Sequence, residues 1–122
     1  MVISMTKTIK DLEKSILKFE KDRNWSKYHS TKDLAIGIVT EGCELLELFR
    51  SKTNEEIAEM LKNPKKREMI EDELGDTLGY LLLFSSKNKI DLEKAFYKKL
   101  KKTEAKYPVE KYNGHWEKPG RE

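Results

Sequence analysis

A single cysteine, Cys43, stands in 122 residues. That excludes an intrachain disulfide and a cysteine-built zinc site, and makes a reducing cytoplasm the expected setting. The longest unbroken apolar run covers residues 80–84, far short of the roughly 18 residues a membrane span needs, so no membrane partner is expected. Residues 1–7 hold no basic stretch leading into an apolar one, and no secretory signal is expected. There are two histidines, His29 and His115, and neither forms a Glu-x-x-His pattern with an inward acid, which argues against a di-iron bundle. Internal repeats, low-complexity linkers and strand-type alternation are lacking too, and the length suits one domain.

What the chain has in abundance is charge: 39% charged against 37% hydrophobic residues, with a net charge of +3. The charge is unevenly placed, +3 over residues 1–40, −5 over 41–76, zero over 77–93 and +5 over 94–122. An acidic middle between basic arms reads in two ways. Charged helices commonly present solvated faces; alternatively, the acids hold a metal and the arms hold a phosphate-bearing ligand.

Helix punctuation is dense. Thr8 followed by Asp11 opens a first helix to about Arg23, with Leu12, Ile16 and Phe19 at helical spacing. Asn24 to Lys32 reads as a polar, aromatic loop. A second helix starts near Ser30 or Thr31 and runs to about Phe49, with Arg50 in its last turn. Thr53-Asn54-Glu55-Glu56 is a capping box for a short helix to about Leu61. Asn63-Pro64 opens a fourth to about Lys87, and Asp91 caps a fifth that ends before Tyr107-Pro108. The last fifteen residues read as an extended tail. The expected fold is all-α: four main antiparallel helices plus one short helix, with the bundle over residues 1–110 and a tail over 111–122.

The acids fall in unexpected places on these helices. With Leu34 at zero and about 100° per residue, Glu41 lies at about 340°, between Leu48 and Leu45, and Glu44 borders the stripe at about 280°. With Met69 at zero, Glu73 lies at about 40° and Asp76 at about 340°, beside Tyr80, Leu83 and Phe84. Two helices thus each place two carboxylates, three residues apart, on a core-facing side. Unpaired carboxylates brought together out of water repel and take up protons unless a cation compensates them. Lysines reaching across helices are one source of that cation. The other is a hard divalent ion, Mg²⁺ or Mn²⁺, which prefers oxygen ligands and completes its shell with waters and substrate phosphates. Phosphoester or phosphoanhydride hydrolysis is the chemistry such an ion serves.

Glu41-Gly42-Cys43-Glu44, followed after 28 residues by Glu73-Leu74-Gly75-Asp76, resembles the E-x-x-E and E-x-x-D pairs of the MazG-like, all-α nucleoside triphosphate pyrophosphohydrolases. Arg23-Asn24-Trp25-Ser26-Lys27-Tyr28-His29 is similar to the R-x-W-x-x-F/Y-H loop of their dCTP pyrophosphatase branch, residues 45–49 to its L-x-E-L-F continuation, and Lys99 with Lys106-Tyr107-Pro108-Val109 to its terminal signature. The resemblance spans roughly residues 8–110. It implies hydrolysis of a nucleoside triphosphate to the monophosphate and pyrophosphate, with Glu41, Glu44, Glu73 and Asp76 holding Mg²⁺ and one of them free to serve as base. It also implies nucleotide contacts at Trp25, His29 and Tyr80. An indole is independently a good stacking surface for a base.

Lys99, Lys102 and Lys106 can share one helix face and are candidates for the triphosphate. The sequence departs from the dCTP branch at Ile16, Ser51 and Thr103, where that branch has histidine, tryptophan and asparagine, which leaves the base open. The resemblance and the small size together imply a homodimer or homotetramer. The alternative is a basic helical nucleic-acid or protein-binding module built on Lys98, Lys99, Lys101, Lys102, Lys106 and Lys111 interleaved with Tyr97, Tyr107, Tyr112 and Trp116. It gives no reason for acids inside two apolar stripes, and neither does a third reading, a helical scaffold without catalysis.

Overall fold

A computed structural model describes residues 7–115, all of its regular structure helical. The elements are α1 (Ile9–Asp22), α2 (Thr31–Glu47), α3 (Asn54–Lys62), α4 (Pro64–Lys87), α5 (Leu92–Lys106) and α6 (Val109–Tyr112), with a single 3₁₀ turn at Ser26–Tyr28. Residues 1–6, most of the stretch that bears on a secretory signal, and residues 116–122, with Trp116 of the basic-aromatic arm and the end of the expected tail, lie outside the described residues. No described helix is long and apolar enough to cross a membrane.

The starts of the helices follow the cap chemistry. Thr8 with Asp11, Ser30 with Asp33, and Thr53 with Glu56 form reciprocal capping boxes, and Asn63 and Asp91 accept from the backbone of Lys66 and Lys94. Such a cap contributes about 1 kcal/mol by satisfying amides that have no partner within the helix. The bonds from Thr8, Ser30 and Thr53 also hold the carboxyls of Asp11, Asp33 and Glu56 below their usual range.

Three ends differ from expectation. α2 stops at Glu47, because Leu48 and Phe49 bond three residues back, to Leu45 and Leu46, and tighten the last turn. The stretch after α1 holds the 3₁₀ turn. The tail is not wholly extended, since Val109–Tyr112 forms a helical turn whose Lys111 and Tyr112 amides bond to the Pro108 carbonyl.

The chain divides between Lys89 and Ile90 into two compact units. In the first, α4 packs on α1, α2 and α3, most extensively on α2. Three pairings show α2 and α4 to be antiparallel: Thr31 Oγ1 donates to Asn88 Oδ1 at 3.0 Å, Gly37 lies against the Tyr80 ring, and Glu41 meets Glu73 and Asp76. Partner numbers fall along α4 as they rise along α2. Leu34, Leu82 and Leu83 are buried, and the uninterrupted apolar run of α4 is its most enclosed stretch, as expected of a segment hydrophobic all round.

At the other end of α4 the choice of Met69 as the centre of the buried face needs correction. Met69 is 51% exposed and Ile70 8%. α3 packs on α4, and its Met60 is buried, so the face of α4 that is covered there is set by a second neighbour rather than by α2. The second unit consists of α5 and α6, with Tyr107, Tyr112 and His115 in successive ring contacts at 4.9 and 5.2 Å.

The approach of α2 to α4 at Gly37 has a measurable consequence. A β-carbon there would stand 2.4 Å from the Tyr80 ring, whereas one at Gly42 would meet nothing within 4 Å. Gly37→Ala is expected to destabilise by about 1–3 kcal/mol through overpacking. Gly42→Ala is expected to stabilise by about 0.5–1 kcal/mol, because alanine loses less entropy in a helix. Urea unfolding midpoints of the two variants check the opposite signs.

Candidate functional site

The site grows from two features, the register of α2 on α4 and the closure of α1. Glu41 and Glu73, with Asp76 one turn further along α4, bring one carboxylate oxygen each to within 4.8 Å of one another. The three-residue spacing splits each pair: Glu41 and Glu73 are half-buried, Glu44 and Asp76 exposed. The core-facing placement expected of all four acids therefore holds for one acid of each pair, with its partner at the rim. Glu44 lies outside the tight triplet but close enough to act on both inner acids.

The electrostatics of this group are unfavourable without a counter-charge. Oε2 of Glu41 and Oε2 of Glu73 are buried without a hydrogen-bond partner among the described residues. With both acids ionised, acceptor faces acceptor; a proton between them restores a hydrogen bond. Burial, hydrogen bonding with Glu73 and Glu44, and repulsion from Glu44 and Asp76 push the Glu41 carboxyl up to about 7. A hydrogen bond from Glu41 holds Glu73 down, but burial and its Glu44 and Asp76 neighbours outweigh it, so Glu73 is raised as well. No lysine or arginine pairs with these acids among the described ion pairs, which lie elsewhere on the surface. Orphaned buried oxygens in an all-carboxylate set are what a hard divalent ion would satisfy.

Beside the acids, the end of α1 builds a cleft. Asn24 takes a left-handed conformation (φ 54°), the Trp25 amide bonds to the Glu20 carbonyl and the Asn24 amide to that of Lys21. This is a Schellman closure, and its usual hydrophobic contact is present as the edge-to-face pair Phe19–Trp25, centroids 5.6 Å apart. The 3₁₀ turn then swings His29 back onto α1, where Nδ1 meets Glu20 Oε2 at 2.5 Å. Its ring also stands edge-on to Tyr80, at 6.4 Å.

The resulting cleft has a volume of about 190 Å³ and is lined by Ile16, Phe19, Glu20, Trp25, His29, Gly75, Asp76, Gly79, Tyr80 and Leu83. Ile16 packs on α4 at Gly79, in ordinary contact, 3.8 Å from where a β-carbon would stand. Trp25, His29 and Tyr80 thus share one cleft, and Asp76 belongs both to it and to the acid cluster. Lys99, Lys102 and Lys106 lie exposed along α5 in the second unit.

Glu20 escaped the sequence reading. The signal was available: with Leu12 at zero, Glu20 falls at about 80° on α1, at the edge of the stripe of Leu12, Ile16 and Phe19. The wheel test applied to α2 and α4 would have found it.

A carboxylate cluster between two antiparallel helices, beside an aromatic cleft, defines a class of all-α proteins with an acidic centre that could hold a cation. Comparison narrows it. Residues 36–120 match the MazG-like family. The chain is 31% identical over 102 residues to dCTP pyrophosphatase 1 of Bos taurus and of Homo sapiens, covering 84% of this chain and 60% of each relative. It therefore spans about three fifths of the length of the curated relatives it matches. The crystal structure of a pyrophosphatase from Archaeoglobus fulgidus matches with a TM-score of 0.76 at 32% identity, over 88% of this chain and 99% of that one. The chain belongs to the MazG-like family.

The raised acids set the pH dependence. In the metal-free protein the folded state binds more protons than the unfolded chain between the ordinary value of 4.5 and about 7. The contribution of Glu41 to stability is thus fully present below 4.5 and is lost as pH rises through about 7. Melting temperatures in EDTA are expected to fall across that window, with a shallower slope in Glu41→Gln. Added Mg²⁺ or Mn²⁺ is expected to raise them more at pH 8 than at pH 6, because it competes with the proton.

Proposed function

We propose that this chain hydrolyses a nucleoside or deoxynucleoside triphosphate to the monophosphate and pyrophosphate. The observation that carries the reading is the meeting of Glu41, Glu73 and Asp76 across α2 and α4, with two buried oxygens unsatisfied, beside the aromatic cleft. The relatives named dCTP pyrophosphatase and the structural neighbour named a pyrophosphatase support it.

Glu41, Glu44, Glu73 and Asp76 would hold Mg²⁺, or Mn²⁺. Bound there, such an ion neutralises phosphate charge and lowers the pKa of a coordinated water. The chain's own residues do the rest. Trp25 offers a ring face to the base, and Tyr80, one turn from Asp76, walls the cleft with His29. An inner carboxylate that has lost its proton is placed to accept one from an attacking water. Lys99, Lys102 and Lys106 are proposed contacts for the triphosphate, with their exposure on α5 in keeping with that role. The protein is placed in the cytoplasm, where triphosphates and free thiols coexist.

We also propose a homo-oligomer. Ile36, Val39 and Leu46 are exposed on α2 and, with the exposed Cys43 between them, form a stripe opposite the buried Leu34. A helix apolar on both sides is suited to burial on both, and a second copy is the occupant that the family likeness favours.

Pyrophosphate and monophosphate release from a panel of ribo-, deoxyribo- and modified triphosphates is expected with Mg²⁺ and not with EDTA. Glu44→Gln and Asp76→Asn are each expected to lower it by at least the about 10–100-fold that loss of an outer-shell partner costs at metal sites. A folded wild-type protein that cleaves no triphosphate would overturn the reading. Sedimentation equilibrium is expected to give a dimer or tetramer that Val39→Glu shifts toward monomer.

A further inference from the structure

One carboxylate in the cleft belongs to no part of the acid cluster. Glu20 is 8% exposed, the one charged side chain buried among the described residues, and it lines the cleft together with Ile16, Phe19, Trp25 and Tyr80. Acid number and metal chemistry do not account for it. It is on α1, whereas the cluster is shared between α2 and α4. In a cleft for a polyanion an anionic wall works against phosphate, so Glu20 faces an uncharged part of the ligand.

Its chemistry states which part. An ionised carboxylate only accepts hydrogen bonds and has about four lone-pair directions. His29 Nδ1 lies 2.5 Å from Oε2; since an ionised carboxylate cannot donate, the ring nitrogen is the donor of that pair, takes one of these directions and fixes the orientation of the group. The carboxylate therefore stands preorganised among aromatic walls, with acceptor capacity left over. A base edge with an exocyclic amino group supplies a donor; the corresponding keto edge brings carbonyl lone pairs against carboxylate lone pairs, which is unfavourable in a partly dry cleft.

We propose that Glu20 is a specificity-determining residue that accepts a hydrogen bond from the exocyclic amino group of the base, so that the cleft takes amino-bearing bases in preference to their keto counterparts. This rests on the reading of the cleft as a nucleotide site. It gives Glu20 a role distinct from that of Trp25, since a stacking face accepts every base and hydrogen bonding to the edge tells them apart.

The test uses pairs of ligands that differ in the exocyclic group and in the ring nitrogen beside it, which carries a hydrogen in the keto member. Non-hydrolysable α,β-methylene analogues of dCTP and dUTP, and of dATP and dITP, are titrated calorimetrically into the full chain with Mg²⁺. The amino member of at least one pair is expected to bind about tenfold or more tightly, as for sites built to hydrogen-bond a substrate group. Glu20→Gln still accepts from His29 but turns an NH₂ toward the base, so the preference is expected to vanish or invert while affinity for the keto member is kept or improved. Equal binding of both members by the wild type, failure of all four to bind, or an equal loss for all four in Glu20→Gln would each overturn the proposal. The last outcome would confine Glu20 to holding His29. Should Glu20→Gln not fold, Glu20→Asp withdraws the carboxylate by one methylene and is expected to weaken the preference; an unchanged ratio overturns it.

Hydrolysis of the natural triphosphates separates this proposal from the one beneath it. Cleavage without amino-keto discrimination defeats the role of Glu20 alone. Discrimination in binding without cleavage defeats the hydrolase reading and leaves Glu20 as the selector.

Discussion

The contact between Glu41 and Glu73 across the α2–α4 interface is the constraint around which this molecule is arranged. Two carboxylates with buried, unpartnered oxygens are costly in a helical interface. Hydrophobic packing of Leu34 and the apolar run of α4 holds them together in spite of that cost. Burial, hydrogen bonding with Glu73 and Glu44, and then repulsion from Glu44 and Asp76 together push the Glu41 carboxyl up to about 7. A locally destabilised cluster held by surrounding structure is typical of a site built to receive a cation, since the binding of one relieves the repulsion.

The register that creates the cluster also creates the cleft. Antiparallel packing with Gly37 against Tyr80 aligns Glu41 with Asp76, and the same helix carries Gly79 past Ile16 of α1. The left-handed turn at Asn24 reverses the chain at the end of α1 and sets Trp25 on Phe19, and the 3₁₀ turn delivers His29 to Glu20. Asp76 joins the two regions, so a ligand in the cleft lies beside the acids. The proposed nucleotide reading uses both regions, with the phosphates assigned to the acids and the base to the aromatics.

Much of this was legible in the order of residues, and for local reasons. Every helix start with a side-chain cap was marked by a Ser, Thr, Asp or Asn whose oxygen reaches an amide three positions on, an interaction that needs no tertiary partner. The paired acids were visible because 3.6 residues per turn fixes which side chains share a face. The loop before α2 was less legible: asparagine at the close of a helix, with aromatics at 19 and 25, marks a Schellman turn only once the helix end is known.

By itself, then, the sequence determined that the chain is helical, where its side-chain-capped helices begin and which acids lie near apolar stripes, because caps and helical period act over a few residues. The tertiary structure decided the matters that depend on neighbours. It chose Ile70 rather than Met69 for burial, since α3 covers that side of α4. It turned one acid of each pair inward and left the other at the rim. It also gave Glu20 a partner, because a hydrogen bond between residues 20 and 29 exists only when the chain between them folds back.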